Sequence, residues 1–463
     1  MNLSRSGRAA PPVRLVHLGL GNFFRAHQAW YTQHAGDGSG WGYAAFAGRG
    51  PGLAARLGAQ DGLYTAVLRA EDGDRFELIA SLARAHAADE HEAWLDYLSS
   101  PHLTVVTTTV TEAGYLRRPD GALNTRDQRL QADLRVLRTD PEGLVRTAPA
   151  RLVAGFAARR RADAGPVALV PCDNMAGNGA AVARVIRELA ELLDPALAQW
   201  IAQSVSVVST EVDRITPRPT AQDAEVVRVA TGRADACPVV TEPFTEWALC
   251  GDFPAGRPRW EDAGAAFTAD VTPFENRKLW LLNGAHSLLA YAGSIRGHET
   301  VAEAIADDMC RAWVEQWWTE ATQYLLQPAA DLEAYRRALL VRFANPRIRH
   351  FLAQIAADGS QKLPIRVLPV LRSELAAGRI PLAATRILAA WICHLRGLGA
   401  PVSDVRGDAL VRLASGPIPK AAQRVLAELD PELGEDAAVI GAVTDQAEGL
   451  AAGAVGAASS DGA

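Results

Sequence analysis

Apolar residues follow two regimes along this chain. Over roughly the first 270 positions they gather in short runs: VRLVHLGL at 13–20, YAAFA at 43–47, YTAVL at 64–68, LTVVTTT at 103–109, PVALVP at 166–171 and VSVVST at 205–210. Runs of this length, rich in β-branched residues, predict buried strands. Stretches with helical spacing lie between several of them, at 23–34, 52–58, 91–99, 150–162 and 178–192. Strands alternating with helices predict an α/β unit built on a mostly parallel sheet. Residues 237–260, rich in Pro, Gly and aromatics, predict a long covering loop or antiparallel strands. From about 272 the spacing turns helical, at 273–293, 299–327, 330–342, 345–357, 362–377, 381–397 and 403–413, which predicts a second, mainly α-helical domain. The small-residue stretch 447–463 predicts a flexible tail.

Composition narrows the classes. The chain has 463 residues, 49% hydrophobic and 22% charged, enough for two large cores. A net charge of −6 argues against nucleic-acid and anionic-membrane binding. No apolar run approaches the ~18 residues of a membrane span, and the N-terminus MNLSRSGRAAPPVRL lacks the apolar core of a signal peptide. The five cysteines are scattered without a C-x-x-C pair, which predicts reduced thiols and a cytoplasmic protein.

Lysine usage changes the picture more. Only Lys278, Lys362 and Lys420 are lysine, leaving 44 of the 47 basic residues as arginine. Codon bias explains the depletion. It does not explain where the survivors stand, and lysine does one thing arginine cannot, which is to release its proton.

Two segments carry candidate chemistry. Gly19-Leu20-Gly21-Asn22-Phe23-Phe24 follows the first strand and opens a helix. In a dinucleotide-binding turn the first glycine makes the tight bend, and the second lets the backbone approach a pyrophosphate at the helix N-terminus. Phe24 stands where a third glycine is usual. The second strand ends Ala47-Gly48-Arg49-Gly50, with no acid for a ribose 2′-hydroxyl; Arg49 suits a 2′-phosphate or stacking on adenine, so NAD and NADP both stay open.

The second segment is Thr272-Pro-Phe-Glu275-Asn-Arg-Lys278-Leu-Trp-Leu-Leu-Asn283-Gly-Ala-His286. Thr272, Pro273 and Glu275 read as N-cap, N1 and N3 of a capping box. On an α-helix with Lys278 at zero, Glu275 falls at about 60°, His286 at about 80° and Asn283 at about 140°, all in one arc. Lys, Asn and His on one face suit carbonyl/alcohol redox: a neutral lysine takes the alcohol proton, and Asn and His N–H groups steady the developing oxyanion. Glu275 reads as a cap, with a proton relay as its second role. The Tyr-x-x-x-Lys of short-chain dehydrogenases is absent, because Phe274, Asp358 and Gly416 stand four residues before the lysines. Gly297-His298-Glu299 lacks the glycines and cysteines of a zinc dehydrogenase, so no metal site is expected.

These residues resemble the polyol-specific long-chain dehydrogenases, the mannitol dehydrogenase family. The resemblance rests on the glycine turn with Arg25-Ala-His27, Gln60-Asp-Gly-Leu-Tyr-Thr65, Thr111-Glu-Ala-Gly-Tyr115, Cys172-Asp-Asn174 with Asn178-Gly179, Glu211-Val-Asp213-Arg-Ile-Thr-Pro217 and Lys278-Leu-Trp-Leu-Leu-Asn283-Gly-Ala-His286-Ser. It runs from about 13 to about 415 and implies a Rossmann-type dinucleotide-binding domain over 1–268 and a mainly helical substrate domain over 269–446. It further implies metal-independent chemistry, Lys278 as general base, Asn174 and Asn283 polarising the reacting oxygen, and His286, Asp213 and Lys362 holding substrate hydroxyls. Gly19, Gly21, Asn22, Phe23, Arg49 and Thr109 would face the cofactor, NAD or NADP. The expected reaction is D-mannitol to D-fructose and back, by a monomer. Hexuronate reduction and arabinitol oxidation are alternatives, with a non-catalytic dinucleotide sensor as the contrasting class. Some mannitol-active relatives carry an arginine eight residues before the substrate lysine, where this chain has Gln354. Lys362 follows Asp358-Gly-Ser and reads as a loop residue.

Overall fold

A computed structural model describes residues 3–48 and 50–460, with 454–460 as backbone only. The chain divides into two compact units between Thr272 and Pro273.

The first unit is built on six parallel strands, numbered here within that sheet: β1 Val13–Leu18, β2 Gly42–Phe46, β3 Leu82–His86, β4 Val105–Thr108, β5 Val167–Pro171 and β6 Val205–Val207. Their spatial order is β3-β2-β1-β4-β5-β6, the doubly wound order in which ligands bind where the strand sequence reverses, beside β1 and β4. Alternate side chains of β1 feed separate cores. Val16 and Leu18 join Phe46, Trp94 and Val106 on one face. Leu15 joins Phe24, Tyr31 and Tyr43 on the other.

The strand pattern misplaced one element. Tyr64–Ala70 is a strand but lies outside the parallel sheet, pairing antiparallel with Gly73–Ile79 and parallel with Val239–Thr241. The sheet position is taken by β3, whose sequence LARAH has no β-branched residue and gave little strand signal. Segment 237–260 does supply strands, and Glu246–Cys250 runs antiparallel to Ser209–Asp213.

The second unit is helical. Its first rod, Thr272–Gly293, changes type along its length: α-helical over Thr272–Arg277, π-helical over Lys278–Gly284, α-helical over Ala285–Leu288 and π-helical again over Leu289–Gly293. Asp307 breaks the expected 299–327 helix, capping Asp308–Thr322 by accepting the Met309 and Cys310 N–H groups. Of the stretch expected to be a flexible tail, 447–460 is instead the end of a helix, Ala437–Ser460, and 461–463 lie outside the described residues. Its Val439, Val443 and Ala447 are buried. Alanine is the best helix former, and the buried stripe anchors the start of this helix. Among the described residues, no helix is long and apolar enough to cross a membrane.

Candidate functional site

In the first unit the candidate residues collect at the carboxyl ends of β1, β4 and β5. After β1, the Gly19 and Leu20 N–H groups both donate to Phe46 O, at 2.9 and 2.8 Å. Gly19 adopts φ +118°, and a Cβ there would strike the Thr109 backbone carbonyl. Its glycine therefore serves close approach of two strand ends. Thr109 completes the join, donating its N–H to Leu18 O at 2.9 Å and its hydroxyl to Gly19 O at 2.8 Å. Gly21 is extended and precedes a short helix, Asn22–Ala26. The chain breaks at His27 before Gln28–His34, so the single helix expected over 23–34 is two. The Asn22 carboxamide oxygen accepts from Arg25 at 2.7 Å. Phe24 stacks on the buried His17 ring at 3.8 Å between centroids. The residue in place of a third glycine thus packs inward under the turn. Arg49 lies outside the described residues.

His17 and Asp173 are polar residues that the pattern of apolar runs passed over. His17 bonds the Thr107 and Thr109 hydroxyls at 2.8 and 3.0 Å. Burial holds its ring at about 3, so it is neutral. Asp173 accepts from Val110 N–H at 2.5 Å, Tyr115 Oη at 2.5 Å and Thr108 Oγ1 at 3.0 Å. Burial raises its carboxyl to about 6.

Asn174 follows, exposed, in the loop after β5. Asn178 anchors that loop: its amide donates to Thr210 O at 2.8 Å, and its oxygen accepts from Thr210 N–H at 3.0 Å. The loop carrying Asn174 is thereby tied to the strand that ends in the buried Asp213.

In the second unit the lysine segment departs from the α-helical wheel drawn for it. Thr272 is the first helical residue rather than its cap, and Asp270 accepts its N–H at 2.9 Å. From Lys278 to Gly284 the backbone bonds i→i+5, which takes about one residue more per turn. Asn283, five residues on, therefore sits closer to the Lys278 meridian than an α-helix would put it. Such segments recur at functional sites.

Two neighbours hold the wide turn. The indoles of Trp317 and Trp318 donate to the carbonyls of Trp280 and Leu281, at 2.7 and 2.8 Å. Gly284 lets the turn lie against Trp317; a Cβ there would meet that indole nitrogen at 2.6 Å.

Glu275, Lys278 and His286 are buried. The Asn283 carboxamide is half-buried. The His286 ring lies 4.9 Å from His350 and 4.8 Å from Phe343. His286 Nε2 and His350 Nδ1 are buried polar atoms without a hydrogen-bond partner. Burial, followed by the charges of His350, Arg366 and Arg342, holds His286 well below its ordinary value, so it is neutral.

Lys362 is not in a loop. It lies half-buried in the helix Gly359–Arg366, with Nζ donating to Ile355 O at 3.1 Å and Ala357 O at 2.5 Å. Burial and then the Arg366 charge lower its pKa. Arg366, one turn further, was missed by sequence reasoning. Its Nη1 reaches Asn283 O at 3.4 Å and Ser287 Oγ at 3.2 Å, joining this helix to the lysine rod. Both residues fall within the helix expected over 362–377, so their i, i+4 spacing was available in the sequence and went unread.

One cluster of potential metal ligands occurs among the described residues: His298, Asp307 and Cys310, with ligand atoms within 4.8 Å of one another. Asp307 Oδ2 is already held by Arg296 Nη2 at 2.7 Å and His298 Nε2 at 3.0 Å, so a cation there would have to displace the arginine.

A doubly wound sheet with a glycine turn at its switch point defines a dinucleotide-fold protein, and the helical unit adds a lysine on a π-helical turn. Residues 13–262 match the family described as mannitol dehydrogenase Rossmann domain, and residues 270–448 match its C-terminal domain. D-arabinitol 4-dehydrogenase of Ralstonia nicotianae is 37% identical over 405 residues, 85% of each chain. D-mannonate oxidoreductase of Escherichia coli is 35% identical over 86% of this chain and 82% of its own. The solved mannitol 2-dehydrogenase of Pseudomonas fluorescens, in ternary complex with NAD and D-mannitol, is 30% identical with a TM-score of 0.83, covering 99% of this chain and 98% of that one. This chain belongs to the mannitol dehydrogenase family of oxidoreductases.

Proposed function

We propose that the protein interconverts a secondary alcohol and a ketone on a linear polyhydroxylated carbon chain, with D-mannitol and D-fructose as the reference pair and NAD or NADP as the redox partner. The observation that carries this reading is the π-helical turn, which starts at the buried Lys278 and ends one residue after Asn283. The similarity to an enzyme solved with NAD and D-mannitol supports it.

The glycine turn fits a dinucleotide. Gly21 is extended, and the nearest atom to a Cβ there would be Gly19 O at 3.4 Å, so its backbone stays approachable. Gly19, Gly21, Asn22, Phe23, Thr109 and Arg49 are the residues assigned to hold it. A bound nicotinamide would supply the acceptor for the hydride that leaves the carbinol carbon. Lys278, unprotonated, receives the hydroxyl proton as general base. The Asn174 and Asn283 carboxamides donate to the oxygen as it gains carbonyl character. His286, neutral, holds a hydroxyl through an imidazole nitrogen, with Asp213 and Lys362 on others. Glu275, three residues before Lys278, is assigned to pass its proton onward.

The test follows nicotinamide absorbance with NAD and NADP against a panel of polyols, ketoses and sugar acids. The expected result is reversible turnover on at least one alcohol–ketone pair. Dinucleotide binding with no turnover on any member overturns the reading.

A further inference from the structure

His17 is a titratable side chain in a strand whose last four residues are buried. It lies opposite Thr107, its register partner in β4, and none of its surface is exposed. Phe24 covers the ring at an interplanar angle of 12°, and Tyr43 meets it edge-on. Burial keeps the ring neutral. A buried imidazole needs a partner for each nitrogen, and this one has both. The bonds also have a direction.

That direction follows from the acceptor at the end of the chain of bonds. Gly19 O is a carbonyl and only accepts, so the single proton of the Thr109 hydroxyl is spent on it. His17 Nε2, 3.0 Å from the same hydroxyl oxygen, is therefore the donor there. A neutral imidazole carries one N–H. With that proton on Nε2, Nδ1 is the acceptor and takes the Thr107 hydroxyl proton at 2.8 Å. The relay runs one way, from Thr107 to His17, from His17 to Thr109 and from Thr109 to Gly19 O.

Its last bond fixes one peptide plane. The Gly19–Leu20 peptide is held by its oxygen, through Thr109, and by its N–H, through Phe46 O at 2.8 Å. Gly19, at φ +118°, has the backbone freedom that lets such a plane turn over. In the other ring tautomer Nε2 is a bare acceptor. The Thr109 proton would then turn to the imidazole, and Gly19 O would lose its donor. A carbonyl released inside a glycine turn puts partial negative charge where a pyrophosphate approaches.

We propose that His17, as the Nε2–H tautomer, is the positioning residue of the cofactor turn. Through Thr109 it holds the orientation of the Gly19–Leu20 peptide that admits a dinucleotide. This rests on the reading of that turn as the dinucleotide site. It also narrows the part of Thr109, whose hydroxyl proton is committed to Gly19 O and so is not available to donate to a cofactor.

The experiment compares two conservative variants of the full chain. His17→Gln carries an amide N–H as far as the position of Nε2. His17→Asn carries one only as far as Nδ1. In His17→Asn the dissociation constants for NAD and NADP, read by fluorescence titration, are expected to rise about 10-fold, as the loss of one buried hydrogen bond gives. In His17→Gln they are expected to stay within about threefold of the wild type. The loss in His17→Asn should fall on the KM of the dinucleotide rather than on kcat at saturation. Equal weakening in the two variants, the reverse ranking, or unchanged affinity in His17→Asn overturns the inference. Should the variants fail to fold, the wild type decides: nitrogen-15 NMR of the imidazole is expected to show the neutral Nε2–H tautomer, and a proton on Nδ1 overturns the inference. A wild type that binds neither dinucleotide overturns the reading of the turn, and the inference with it.

Discussion

The strand ends of the first unit and the surroundings of the lysine rod in the second treat buried polar groups in opposite ways. At the strand ends of the first unit, hydrogen-bonding capacity is spent inside the protein: both His17 nitrogens bond threonine hydroxyls, Asp173 accepts three donors, and Asn178 clamps Thr210 from both sides. Along the lysine rod of the second unit, capacity is left over, at His286 Nε2, His350 Nδ1 and Arg366 Nε. A satisfied network fixes a backbone in one place. An unsatisfied one in an otherwise close-packed interior is a surface shaped for something else. On the proposed function, the strand ends would hold a loop still for a cofactor and the π-helical turn would handle the reacting molecule.

The sharpest way to break this contrast is to remove one group of each kind. Lys278→Ala is expected to lower kcat/KM by about a thousandfold or more, with dinucleotide affinity, read by fluorescence titration, unchanged within about twofold. Substantial remaining turnover would remove Lys278 from the chemistry. Asp173→Ala should do the reverse. It leaves Val110 N–H and Tyr115 Oη without their acceptor and is expected to cost about 3 kcal/mol of stability in denaturant melts. If Asp173→Ala is as stable as the wild type, the strand-end network is not scaffold.

Acid sharpens the comparison at a smaller scale. Burial holds His350 at about 4 and His286 well below its usual range. A base whose folded value is depressed contributes stability above its unfolded value, near 6.5, and loses it as pH falls toward the folded value. Between pH 6.5 and 5, His350 alone accounts for about 2 kcal/mol. In the first unit His17 has the same sign. Asp173, raised to about 6, has the opposite one: its contribution is full below the ordinary carboxylate range and is lost as pH rises through 6. The two oppose each other over that window. Hydrogen exchange resolved by unit is therefore expected to show the helical unit weakening faster on acidification, with His350→Gln reducing its slope by about 1.4 kcal/mol per pH unit. Equal acid sensitivity of the two units contradicts the assignment.

How much of this was legible beforehand divides along the same line. The sheet and the helical half follow from local hydrophobic spacing, and most strand and helix positions were readable from it. The glycine turn and the Lys278 segment were legible because rare residues stand in telling places, three lysines against 44 arginines. Two features were not. β3 has no β-branched residue to announce it, and its place depends on pairing with β2. The π-helical turn cannot be read from periodicity, because α spacing is the default and the indoles that bond its carbonyls, Trp317 and Trp318, stand more than thirty residues away in sequence. The helix Gly359–Arg366 begins three residues earlier than its expected start at 362, because Asp358, at φ +55°, precedes a first turn that Asp-Gly-Ser disguises as a loop; Arg366 lay inside the expected helix and was passed over as one arginine among many.

The smallest expected effect tests whether the indoles hold the π-helical turn. Trp317→Phe keeps the ring that packs on Gly284 and removes one indole donor, so it is expected to cost about 1 kcal/mol of stability. Trp318 still holds the adjacent carbonyl, and the turn should persist, with kcat reduced by no more than about fivefold. The double substitution Trp317→Phe/Trp318→Phe removes both donors. If the indoles keep the segment wide, its backbone then relaxes toward i→i+4 bonding and Asn283 rotates away from the Lys278 face. The loss in kcat should then exceed the product of the single losses, while dinucleotide affinity stays level. Multiplicative single effects would mean that the π-helical turn is held by its own sequence and that the tryptophans contribute packing alone.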